Sequence, residues 1–84
     1  MEKNWREIIF NLTLTKEERI QLASEYLMKA VEEDENIFVR HEAILALATL
    51  GKKEFIPFIK KYLNSPELEI AESAEIALQR LEQT

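Results

Sequence analysis

Displaced by 31 positions, the chain matches itself. Val39 to Leu50 falls on Ile70 to Leu81, with identities at Ala43/Ala74, Ala46/Ala77, Leu47/Leu78 and Leu50/Leu81 and conservative pairs at Val39/Ile70 and Leu45/Ile76. The same offset lays Leu27, Met28 and Val31 on Phe58, Ile59 and Tyr62. Apolar residues in these stretches recur at helical spacing, so the repeating unit is a pair of helices. One such pair cannot bury its apolar faces alone and must stack on its copy. A single Gly and two Pro among many Ala, Leu, Glu and Lys leave little turn chemistry for β-hairpins and strong propensity for helix. The expected class is all-α.

Local signals divide the chain into five helices. Trp5, Ile8, Ile9 and Leu12 form one apolar stripe over residues 3–12. Thr15 with Glu18 has the form of a capping box, which predicts a second helix from Lys16. Its apolar face carries Ile20, Ala23, Leu27, Ala30 and Val31, with Leu22 and Tyr26 beside it, and it ends in the acidic run Glu32 to Glu35. The third helix runs from Asn36 or Ile37 to Leu50, where Gly51 stands ready for a left-handed cap. Phe55, Ile56, Ile59, Tyr62 and Leu63 mark a fourth, with Pro57 in its first turns. Ser65 is the expected N-cap of a fifth with Pro66 at its first position, and Ile70, Ala74, Ala77, Leu78 and Leu81 make its buried stripe.

The third helix is apolar on two sides. Val39, Ala43, Ala46, Leu47 and Leu50 lie on one, and His41, Ile44, Leu45 and Ala48 line a nearly opposite one. Such a helix is either sandwiched or keeps an apolar face for a partner. On the fifth helix the positions matching the second side are Glu72, Glu75, Ile76 and Gln79, so that helix reads as a solvated cap. With the first helix covering the other end, the expectation is a capped stack complete in itself.

The run VRHEAILALATLG (39–51), followed by KKEFIPFIKKYLNSPELEIAESAEIALQRLE (52–82), resembles the short HEAT-like repeats of deoxyhypusine hydroxylases and phycocyanobilin-lyase-like proteins. The resemblance covers residues 37–82 well and the first 36 poorly. It implies a short right-handed α-solenoid of about two HEAT-like hairpins behind an N-terminal helix: residues 1–14 as a capping helix, 15–50 as the first repeat and 52–82 as the second. The family pattern has an acidic turn residue and a Val-Arg pair opening the inner helix. Asp34 or Glu35 before Val39-Arg40 fits it, whereas Ile70-Ala71 in the second repeat loses the Arg.

In deoxyhypusine hydroxylase, the resemblance implies, His-Glu dipeptides at the start of inner helices ligate iron, and His41-Glu42 stands at the matching position. Imidazole with carboxylate suits a non-haem iron. The family builds its centre from four such pairs, however, and this chain has one His, with Glu72-Ser73 at the repeat-related position. Two copies about a two-fold axis would bring two such pairs together. The plain alternative is retained repeat sequence, with His41 packed beside Ile44 and Leu45 and Glu42 favoured by the helix dipole.

Other chemistry is excluded more simply. The absence of Cys removes disulfides, thiolate nucleophiles and Cys-rich zinc sites. Sixteen acidic residues against eleven basic, a net charge of −5, disfavour nucleic acid. Pairs such as Glu17-Glu18, Glu32-Glu33 and Glu72 with Glu75 read as solvated faces, as do Lys52, Lys53, Lys60 and Lys61. Ser24, Ser65 and Ser73 lack a nucleophile-elbow context. Neither a signal peptide nor a membrane span is expected, and the cytosol is the expected compartment.

These readings lead to a small non-catalytic interaction or scaffold module, a monomer or homodimer without cofactor. It would engage another protein through Arg40, His41, Ile44, Leu45 and Ala48. The second expectation is an iron-binding relative of deoxyhypusine hydroxylase, or a chromophore-lyase-like helper, ligating metal through His41 and Glu42 as a dimer.

Overall fold

The computed structural model describes residues 14–83. They form helices α1 (Lys16–Glu33) and α2 (Ile37–Leu50), a 3-10 turn (Lys53–Phe55) running into α3 (Ile56–Lys60), and α4 (Leu68–Glu82). No strand occurs among the described residues, so the all-α expectation holds. The first expected helix, with Trp5, Ile8, Ile9 and Leu12, lies outside them. No helix among the described residues is long and apolar enough to cross a membrane.

The helix starts follow from side chains able to satisfy orphan amides. Thr15 Oγ1 accepts from the Glu18 amide at 3.1 Å and the Glu18 carboxylate accepts from the Thr15 amide at 2.9 Å, a reciprocal capping box. Asp34 Oδ1 accepts from the Asn36 amide, and Asn36 Oδ1 in turn accepts from the Phe38 and Val39 amides at the start of α2. α2 stops at Gly51, whose φ of 76° is the left-handed conformation that a side chain would disfavour.

Two boundaries differ from expectation. Regular helix in α3 ends at Lys60 rather than reaching Leu63, because the following amides of Lys61, Tyr62 and Leu63 bond three residues back instead of four. Ser65 makes the hydrogen bond of an N-cap, accepting from the Glu67 amide at 3.1 Å, yet α4 begins only at Leu68. The backbone of Glu67 is still extended, and its carbonyl accepts the first helical bonds from Ile70 and Ala71.

Packing places α2 between α1 on one side and α4 on the other. Ala43, Ile44, Leu47 and Ala48 of α2 meet Val31 of α1 and Ile70, Ala74, Ala77, Leu78 and Leu81 of α4, with Phe55 and Ile59 closing the end. Repeat-related residues such as Leu47 and Leu78 thus share one core. The exposed positions Glu72, Glu75, Ile76 and Gln79 give α4 its solvated outer side. Lys52 and Lys61 reach back to Glu17 and Glu32 of α1, so part of the basic cluster is paired within the fold.

Tyr62 packs against Phe58 at 5.5 Å between ring centres. Burial pushes its phenol above the ordinary value, Glu32 adds to the rise and Arg40 opposes it. A raised folded value means the neutral phenol is favoured by folding, so this contribution is complete below about pH 10 and is lost as pH climbs through the raised value. Urea unfolding between pH 8 and 11 should therefore show a smaller alkaline loss of stability for Tyr62→Phe than for the parent. In the core, Leu47→Ala should cost about 2–5 kcal/mol, while Leu68→Ala, on the surface, should change stability by less than about 0.5 kcal/mol.

Candidate functional site

The site grows from the first turns of α2. Arg40 donates from Nε to the Val31 carbonyl at 2.8 Å and from Nη1 to Glu67 Oε1 at 2.8 Å. One guanidinium therefore caps the end of α1, whose carbonyls lack helical partners, and ties α2 to the start of α4. This arginine fixes the rotation of the helix that carries the next two residues.

His41 faces α4. Its Nδ1 is hydrogen-bonded to Ser73 Oγ, and its ring lies 5.9 Å from that of Phe38. Its Nε2 stands 3.4 Å from Glu42 Oε2. Neighbouring helical residues do not ordinarily face one another, so the two long side chains converge only at their tips. A cleft of about 300 Å³ opens beside His41, with Ile37, Phe38 and Ile76 as apolar wall and Glu69 and Glu72 at its acidic rim. Glu42 borders a second, open groove of about 360 Å³ on the other flank of α2, beside Tyr26, Phe38 and Val39. The His-Glu pair sits on the ridge between the two.

The proposed partner patch does not survive as a surface. Ile44 is 0% and Ala48 6% exposed, because α4 covers the second side of α2. Leu45 is half-buried, and Arg40 is committed to Val31 and Glu67. Of the five residues His41 is the one that lines a cleft.

Two features of this region escaped the sequence reading. Ser73 is 1% exposed and supports the His41 ring from the buried stripe of α4. Its signal was a small polar residue between Ile70 and Ala77 on the apolar face, but no spacing rule links it to His41. Phe38, 64% exposed, contributes to both clefts.

Among the described residues no three His, Cys, Asp or Glu side chains come together as a metal site. The pair itself fits half of one. Two donors about 2.1 Å from a common ion stand roughly 3.0–3.4 Å apart at right or tetrahedral angles. The observed separation of 3.4 Å lies in that span.

A family model of HEAT repeats matches residues 6–79. The chain is 39% identical over 77 residues to deoxyhypusine hydroxylase of Candida albicans, an alignment covering 89% of this chain and 23% of that protein. The enzymes of the same name from Debaryomyces hansenii and Danio rerio are 38% and 40% identical over 70% and 66% of this chain, and 20% and 19% of their own lengths. The chain thus spans about a fifth of the curated relatives it matches. No solved structure matches it significantly. These relatives overturn the expectation of a non-catalytic interaction module and of a chain that is no enzyme: the sequences it resembles are hydroxylases.

The arginine clamp predicts an asymmetry. Arg40→Met leaves the Val31 carbonyl without its charged donor and should cost about 1–3 kcal/mol. Glu67→Gln, at a half-exposed carboxylate, should cost no more than about 1 kcal/mol. Urea unfolding of both single variants measures the difference.

Proposed function

Because the chain belongs to the HEAT-repeat family and is related within it to deoxyhypusine hydroxylase, we propose that it is a metal-binding unit of hydroxylase type. His41 and Glu42 are its iron ligands, and a second copy of the chain supplies the remaining pair. The observation that carries this reading is the convergence of His41 Nε2 and Glu42 Oε2, 3.4 Å apart, at the open ridge between two clefts. A pair of donors leaves a metal incompletely held, and a two-fold axis duplicates every ligand. Iron in such an N/O ligand set, with positions left open, supplies the oxygen chemistry of a hydroxylase.

The chain's own residues have separable roles in this reading. Arg40 sets the rotation of α2, and with it the direction in which His41 and Glu42 leave the helix. Phe38 and Ile76 form an apolar wall beside the imidazole, and Glu69 and Glu72 add negative charge at the cleft rim, which favours a cation.

Anaerobic titration with ferrous iron, followed by sedimentation, tests the proposal. The expected result is one iron per two chains and a shift from monomer to dimer on loading. His41→Ala and Glu42→Gln should each weaken uptake by more than the roughly 10–100-fold that loss of an outer supporting partner costs, with helical content unchanged. Uptake by His41→Ala equal to that of the parent would refute the assignment, as would a parent that takes up no iron.

A further inference from the structure

The Ser73 hydroxyl has one proton to give and two neighbours that can take it. Ser73 Oγ lies 2.7 Å from the carbonyl of Glu69, one turn earlier on α4, and a carbonyl can only accept. When the hydroxyl donates to that carbonyl, the same oxygen is the acceptor at its other contact, with His41 Nδ1. In that arrangement the proton of the His41–Ser73 bond belongs to the imidazole. Ser73 is also 1% exposed, which leaves its oxygen little access to water that might exchange these roles.

We propose that Ser73 is a positioning residue that holds neutral His41 in its Nδ1-protonated tautomer and so turns the Nε2 lone pair toward Glu42. In a neutral imidazole one nitrogen donates and the other accepts, and the hydrogen bond at one decides which is free for a metal. The chain arrives at this through its asymmetry. The dipeptide His41-Glu42 of the first repeat is replaced by Glu72-Ser73 in the second. At the position related to Glu42 the chain carries a hydroxyl in place of a carboxylate, and that hydroxyl orients the histidine that remains. The orienting chain runs from the Glu69 carbonyl through Ser73 to His41, and its first two members sit on the rigid backbone of α4.

The metal half of this inference rests on the iron reading above; the tautomer half does not. Nitrogen-15 NMR of the single imidazole, on metal-free protein at about pH 8.5, above the ordinary imidazole range, reads the tautomer directly. The parent should show protonated Nδ1 and bare Nε2. Ser73→Ala should lose that preference while keeping its helical signal, and its affinity for cobalt(II), used as the probe ion, should fall about 10–100-fold. Protonated Nε2 in the parent overturns the inference whatever the metal does, and so does an unchanged tautomer in Ser73→Ala. The parent measurement needs no variant to fold. If the parent shows the Nδ1 tautomer but binds neither cobalt nor iron, the tautomer assignment stands and the iron reading fails.

Discussion

Helix α2 is covered from two directions, and the rest of the molecule is arranged around that fact. Ile44 and Leu47 both have no solvent exposure, because α1 and α4 both pack against α2. A chain of this size buries only roughly 60% of the surface it exposes when unfolded, so a central helix that contributes apolar area on both sides matters more than in a larger domain. Small residues make the close approach possible: Ala43 and Ala48 on α2 meet Ala74 and Ala77 on α4 in the same core. Arg40 then fixes the rotation of α2 by bonding the last turn of α1 and the start of α4. With rotation fixed, His41 must face α4, and only then does Ser73 become its neighbour.

Much of this arrangement was legible residue by residue. Thr15 with Glu18, and Gly51, acted where local chemistry said they would, since caps depend on a few adjacent atoms. The apolar stripe of α4 was read correctly because its other face is charged. The second side of α2 was not, for an instructive reason. Helical periodicity shows that Ile44 and Ala48 lie on an apolar face, but it does not say which neighbour covers that face. The 31-residue repeat contained the answer, since stacking the second hairpin on the first brings α4 there. The start of α4 was misjudged by two residues because Ser65 makes a cap-like bond before a stretch that is still extended.

The site was less legible than the fold. His41-Glu42 was visible as a dipeptide, and the count of one His argued against a centre built within one chain. That argument bears on how many ligands a chain supplies, not on what the ligands do. The relatives are hydroxylases and the structure brings imidazole and carboxylate tips together, and the proposal that the pair is half of a metal site rests on those two facts. Ser73 could not be found from the sequence, because its role comes from the register between two helices.

The presence of one His per chain makes a spectroscopic count unusually informative. X-ray absorption of the iron-loaded protein resolves how many imidazoles surround each ion. The account predicts two, which a single chain is unable to supply. A shell of oxygen donors alone, without imidazole, would contradict it.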